Sequence, residues 1–198
     1  YQIDKKKRSV SIFAPAQFSG TAIRPDKYIR SITKDSEGYI WSGGYYNLKK
    51  INLEDKKTES IPGLEGITNI KEKNKEFMWI GTTNGLYLLE KATGKYQYIA
   101  MPVESSYIHC LYQATDGLLY IGTSNSGLLI YDPVRKAFEH YHKDNSTLIS
   151  NNIYTILSDG KEEIILSTEH GLSGFYPKEK IFHNWTKEQG LHSDHFNA

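Results

Sequence analysis

Met78-Trp79-Ile80-Gly81-Thr82-Thr83-Asn84-Gly85-Leu86-Tyr87 joins two apolar runs through a small-residue turn that closes on Asn-Gly. Asn-Gly between such runs signals a hairpin, because both residues tolerate positive φ. The chain repeats the phrase. Leu119 to Leu128 says it with one extra residue in the turn, Tyr39 to Leu48 is a looser copy, and Ile164 to Leu172 is a fourth with Ser167 in place of glycine. The anchors fall at positions 43, 81, 122 and 167, so the period is close to forty residues. A period of that size means stacked supersecondary units, none of which can bury its apolar faces alone.

Each unit reads as four short strands. The first opens at Tyr28, the second at Ile67, the third at Tyr107 and the fourth at Ile153, which divides the chain into repeats 28–66, 67–106, 107–152 and 153–198. Turns sit at Glu37-Gly38, Thr93-Gly94, Asp116-Gly117, Asp132-Pro133 and Asp159-Gly160. Nowhere do apolar residues recur at helical spacing, so helix should be nearly absent, with one turn at most over Lys143–Ser150. Runs such as Phe77-Met78-Trp79-Ile80 and Leu128-Leu129-Ile130-Tyr131 are apolar at consecutive positions. That suits a sheet covered on both faces better than one with a wet face. The predicted fold is all-β: a β-propeller fragment of about four four-stranded antiparallel blades. Residues 1–27 read as the tail of a preceding, partial N-terminal blade and a connection, with strand, turn, strand over Tyr1 to Phe13.

Composition narrows the function. With 24 basic and 23 acidic residues the net charge is +1, so nucleic acid is not the expected partner. Lys5-Lys6-Lys7-Arg8 is the one charge cluster and reads as a solvated turn. Cys110 is the single cysteine, which excludes an internal disulfide, and its apolar strand makes it a small buried hydrophobe. No phosphate loop, nucleophile elbow or zinc-type cysteine pair is present, and no cofactor is implied. The histidine pairs His140/His142 and His192/His195 are the best metal candidates, but two close loop histidines are weak ligand sets, and no metal site is assigned.

Two longer stretches sharpen the repeat. Tyr141 to Ile153 carries Ser-Thr-Leu, a Ser and paired Asn before the next inner strand, and Asn184-Trp185-Thr186-Lys187-Glu188-Gln189-Gly190-Leu191 is followed by His195-Phe196-Asn197. Together with the Asp-Gly turn, the aromatic-Ile-Gly-Thr strand and the closing Gly-Leu, they resemble the two-component regulator propeller repeat over residues 28–198. Trp41-Ser42-Gly43 departs from it in lacking the Thr, and Leu166-Ser167-Thr168 in lacking the Gly, so the geometry of those two turns is open. The resemblance implies the periplasmic sensor region of a Bacteroidetes hybrid histidine kinase. Such a region senses oligosaccharides and precedes an immunoglobulin-like domain, a membrane helix and kinase modules. It further implies a ring larger than four blades, completed by remaining blades of the parent. Terminal faces carrying Trp41, Phe175 and Tyr176 should then be exposed and drive self-association, most simply as a two-fold dimer.

In a four-stranded meander, the loop after each second strand lies on the same face as the blade-to-blade connections. That face gathers Tyr45, Tyr46, Asn84, Asn125 and His170, and the starts of the inner strands add Arg30, Tyr107, His109 and Tyr154. Aromatic faces stack on pyranose CH groups, while amides and arginine serve hydroxyls or an acidic sugar. These nine residues are the candidate ligand site, with no catalytic role expected. The alternative is a protein-interaction or dimerisation scaffold without a small ligand.

Overall fold

The computed structural model describes residues 28–104, 107–158, 160 and 163–196, together with the backbone of residues 2–4 and 9–11. Strands β1 (Gln2–Asp4) and β2 (Ser9–Ser11) pair as an antiparallel hairpin, as the strand-turn-strand reading expects. The basic cluster at 5–8 and the connection up to Lys27 lie outside the described residues.

Four four-stranded antiparallel meanders follow. Blade 1 is β3 (Ile29–Lys34), β4 (Ile40–Gly44), β5 (Leu48–Ile51) and β6 (Thr58–Ile61). Blade 2 is β7 (Ile67–Glu72), β8 (Phe77–Thr82), β9 (Gly85–Glu90) and β10 (Tyr96–Ile99). Blade 3 is β11 (Ile108–Gln113), β12 (Leu119–Thr123), β13 (Leu128–Asp132) and β14 (Ala137–Tyr141). Blade 4 is β15 (Ile153–Ser158), β16 (Ile164–Thr168), β17 (Gly171–Tyr176) and β18 (Ile181–Trp185). Among the described residues the one helical element is a 3-10 turn, Lys187–Gln189. Over Lys143–Ser150 the chain makes a single bonded turn, with the Ser146 N–H on the His142 carbonyl. The inner strands pack in sequence, β3 on β7, β7 on β11 and β11 on β15, as successive propeller blades do.

Three apolar cores fill the three joints. Trp41, Leu48, Ile67, Met78 and Ile80 pack between blades 1 and 2. Trp79, Leu86, Ile108, Ile121 and Tyr131 pack between blades 2 and 3. Leu128, Ile153, Leu166, Phe175 and Phe182 pack between blades 3 and 4. Strand β12 is buried at every position because it has a neighbour on both faces. Strand β16 alternates between buried and half-buried, because its outer face is open. The expectation about terminal faces is corrected here. Trp41 and Phe175 are fully buried in joints, and Tyr176 is half-buried. The exposed apolar side chains of the terminal inner strands are Ile29 and Ile32 on β3 and Leu157 on β15. Consecutive apolar residues mark a two-sided strand without saying which side meets which blade.

The repeated Gly-Thr divides its labour differently from the turn reading. The glycine lies inside a strand, at the joint. A β-carbon on Gly43 would come within 2.5 Å of Ile67, on Gly81 within 2.8 Å of Ile108, and on Gly122 within 2.8 Å of Ile153. Each glycine therefore admits the first isoleucine of the next inner strand. The threonine closes the turn. Thr82, Thr123 and Thr168 are buried, and each donates its hydroxyl to a glycine carbonyl, of Gly85, Gly127 and Gly171. Each also accepts a loop N–H, from Asn84, Ser126 and His170. Of the Asn84-Gly85 pair only Gly85 has positive φ, 131°, so this is not the doubly left-handed hairpin turn that Asn-Gly suggests. Blade 4 keeps Thr168 and with it the turn; the missing glycine, Ser167, affects the face rather than the loop.

Candidate functional site

Each inner strand carries the same irregularity. The pairing with its neighbour skips one residue between Ile29 and Ser31, Ile67 and Asn69, Ile108 and Cys110, and Ile153 and Thr155. The unpaired residues are Arg30, Thr68, His109 and Tyr154. A bulge sets two residues of one strand against one of its partner, leaves the extra residue unpaired, bends the strand locally and can re-aim a side chain. Three of the four are predicted site residues. Thr68 was missed. Aligning the openings Ile29-Arg30, Ile67-Thr68, Ile108-His109 and Ile153-Tyr154 would have found it. Its hydroxyl oxygen is buried and has no hydrogen-bond partner among the described residues.

The contacts join most of the predicted residues into one strip. The Arg30 guanidinium donates to the Tyr45 hydroxyl at 2.6 Å and to the Tyr107 hydroxyl at 3.3 Å, and lies 4.3 Å from the Tyr45 ring centre. Tyr45 packs on Tyr46 and edge-on to Tyr28. Tyr107 packs on His109 at 4.9 Å, and His109 on Tyr154 at 5.1 Å. Aromatic surface thus runs from the first blade to the fourth along the inner edge, with one guanidinium set into it. Asn84, Asn125 and His170 are exposed on the loops of the same face, where their backbone N–H groups hold the turns. The Asn125 N–H bonds the Asn152 side chain at 2.8 Å, and the residue has φ 68°.

His109 has no charged partner at ion-pair distance among the described residues, and burial alone moves its pKa below the ordinary 6.5. The folded protein therefore holds the ring neutral while the unfolded chain protonates it. Stability attributable to His109 is present above about pH 6.5 and declines as pH falls toward the folded-state value, because the unfolded state then binds the extra proton. Urea unfolding at pH 7.5 and pH 5.5 should show a loss at the lower pH that shrinks in His109→Phe. An equal loss in both proteins would place the effect elsewhere.

A cleft of about 520 Å³ opens on the opposite face between the turns of blades 2 and 3. Many of its polar groups already hold turns, though Lys73 and the exposed Arg135 also line it. The Asp132 carboxylate accepts the N–H groups of Val134 and Arg135, Asn74 those of Glu76 and Phe77, and Asp116 that of Leu118. Gln113 accepts the Trp79 indole N–H and donates to the Ala114 and Leu118 carbonyls. Turn-forming groups with satisfied partners have little to offer a ligand, so the inner strip is the stronger candidate. Among the described residues no three His, Cys, Asp or Glu side chains converge as a metal site. His140 and His142 pack with tilted rings 4.8 Å apart, with the former on the Ser126 carbonyl, while the His195 ring lies against the Glu169 carbonyl. Cys110 is buried as expected, its thiol pushed up to about 12 by desolvation.

The two-component regulator propeller family matches residues 24–46 and 102–125, which cover the openings of blades 1 and 3. Comparison with curated proteins finds no match. Similar solved structures include the extracellular domain of a protein described as the hybrid two component system BT3049 of B. thetaiotaomicron. It is 18% identical with a TM-score of 0.71 over 82% of this chain and 25% of that one. The extracellular domain of BT4673 from the same organism, described as a one component system, gives 17% identity and a TM-score of 0.75 over 86% of this chain and 26% of that one. The chain therefore spans about a quarter of the length of these structures. Two segments of the chain thus match the two-component regulator propeller family, and the chain folds as consecutive four-stranded blades of a β-propeller.

Proposed function

We propose that this chain is a ligand-sensing segment of the periplasmic region of a hybrid two-component sensor, and that it recognises an oligosaccharide without turning it over. The family match and the extracellular domains of hybrid two component systems that share the fold support the receptor setting. The observation that carries the ligand reading is the bulge repeated in all four inner strands, which sets Arg30, Thr68, His109 and Tyr154 at one register position. Aromatic faces and a cation suit sugar recognition, and occupancy would be passed to a kinase beyond the membrane. Calorimetry of the full-length chain against a panel of glycan fragments should give saturable heat for at least one, with no change in the glycan on recovery.

A second reading, a protein-interaction or dimerisation scaffold, is favoured by one observation. Ile32 and Leu157, on the two terminal inner strands, are 68% and 61% exposed. Silence from every glycan together with a doubled mass in light scattering would establish that reading instead.

A further inference from the structure

We propose that the ligand held on the inner strip is anionic, a glycan whose carboxylate or sulfate group docks on Arg30. The inference rests on the oligosaccharide reading and narrows it. Arg30 is the extra residue of the β3 bulge, so its own backbone is released from the ladder. The guanidinium is exposed, yet it is held at two points and stacked. The Tyr45 hydroxyl comes from the loop of its own blade, the Tyr107 hydroxyl from the third blade, and the Tyr45 ring lies beneath.

Two neutral acceptors take one N–H from each terminal nitrogen and leave the charge uncompensated. Among the described residues no carboxylate lies within ion-pair distance of Arg30, although the molecule pairs other basic side chains readily, Lys91 with Asp35 and Glu72, and Lys180 with Glu139. An arginine on a surface is usually mobile. This one is pre-oriented, and a planar fork with free N–H groups matches a carboxylate or sulfate in a way an ammonium does not. Tyr107, His109 and Tyr154 continue from it as a chain of tilted, packed rings, so an anionic sugar unit at Arg30 would lead the rest of the glycan onto aromatic surface.

The test uses a matched set of probes titrated into the full-length chain: trigalacturonate, an O-sulfated galactotriose and plain galactotriose. One or both acidic trimers should bind at least tenfold more tightly than the neutral one, and raised salt should weaken that preference. Arg30→Gln should remove the preference, lowering acidic binding at least tenfold more than neutral binding, with Arg30→Lys intermediate because it keeps the charge and loses the fork. Tyr107→Phe, which removes one hold without touching the charge, should weaken acidic binding severalfold and guards against a folding defect in the arginine variants. The carboxylate and sulfate arms identify which acid the site takes. Equal binding of all three trimers, preference for the neutral one, or an Arg30→Gln variant that keeps the acidic preference would overturn the anionic assignment and leave the oligosaccharide reading standing. No binding of any trimer, alongside binding of some other neutral glycan, would do the same. No binding of any glycan at all would remove both.

Discussion

Lys91→Met should lower stability by about 3–5 kcal/mol, the usual consequence of removing one partner from a buried ion pair. Lys91 leaves the end of β9 as a nominal turn residue, yet it is 4% exposed. Its ammonium lies 3.3 Å from the Asp35 carboxylate of blade 1 and bonds Glu72 of blade 2. Asp35 also accepts the Trp41 indole N–H at 2.8 Å and the backbone N–H groups of Tyr39 and Glu37, while the Ser36 hydroxyl and N–H both reach Glu72. The joint between the first two blades is thus sealed on one face by a charge cluster beneath a tryptophan. Burial pushes the Asp35 carboxyl upward, but the Trp41 and Tyr39 bonds and Lys91 outweigh it and hold its pKa below the ordinary 3.8.

A carboxylate lowered on folding contributes stability above its unfolded value, and that contribution is lost as pH falls through the folded one. In wild type the loss should begin at about pH 4. In Lys91→Met the Asp35 value should rise, so the same carboxylate would protonate at higher pH. Urea unfolding followed by tryptophan fluorescence is the natural measurement, since Trp41 sits on the cluster. The double variant Asp35→Asn with Lys91→Met should recover part of the loss. A single-variant loss below about 1 kcal/mol would show that the cluster is energetically neutral, as surface pairs commonly are.

Gly122→Ala should cost about 1–3 kcal/mol, the typical effect of a methyl group forced into a filled core. The new β-carbon would meet Cys110 Sγ at 2.4 Å, Ile153 Cγ2 at 2.8 Å and the Ile153 carbonyl oxygen at 3.1 Å. Neither the sulfur nor the isoleucine can swing away, because both are buried in the joint between blades 3 and 4. At about 2–4 °C per kcal/mol for a chain of this size, thermal melting resolves the change. Gly117→Ala is the contrast. Nothing lies within 4 Å of a β-carbon there, and only the left-handed backbone, φ 91°, opposes it. Ile153→Ala added to Gly122→Ala should cost less than the two losses taken separately, because it vacates the contested space. Strict additivity would mean that glycine is required there for some reason other than the isoleucine.

The repeat, the strand count and the absence of long helix were legible because each strand carries its own signal. The aromatic-Ile-Gly-Thr run returns at a near-constant interval, and the turns between strands are marked by Gly, Asp and Asn. Much of the candidate site was legible for the same reason: Arg30, Tyr45, Tyr46, Tyr107, His109 and Tyr154 fall at topologically equivalent loops and strand starts. Asn84, Asn125 and His170 share that address but do not join the strip, since a loop position fixes the face and not the reach of a side chain.

What could not be read were relations between strands. A bulge exists only with respect to a partner strand, so the common feature of Arg30, Thr68, His109 and Tyr154 is invisible until β4, β8, β12 and β16 are laid beside them. Lys91 looks like a solvated turn lysine because its counter-charges come from the neighbouring blade and from a strand nineteen residues away. The side of the joint on which Trp41 and Phe175 fall likewise needs the third dimension.

The Gly-to-Ile fit acts as a ruler. At three successive joints a bare α-carbon meets an isoleucine methyl, and that approach sets the distance at which one inner strand stands from the next. On the outward side of blade 4 the ruler changes. Ser167 fills the corresponding place with a β-carbon and a hydroxyl oxygen that has no partner among the described residues. Any surface that meets this face cannot bring a β-branched side chain to the same depth, so it must either stand off further or present something smaller opposite Ser167. The fourth blade therefore lacks the glycine socket that the first three share.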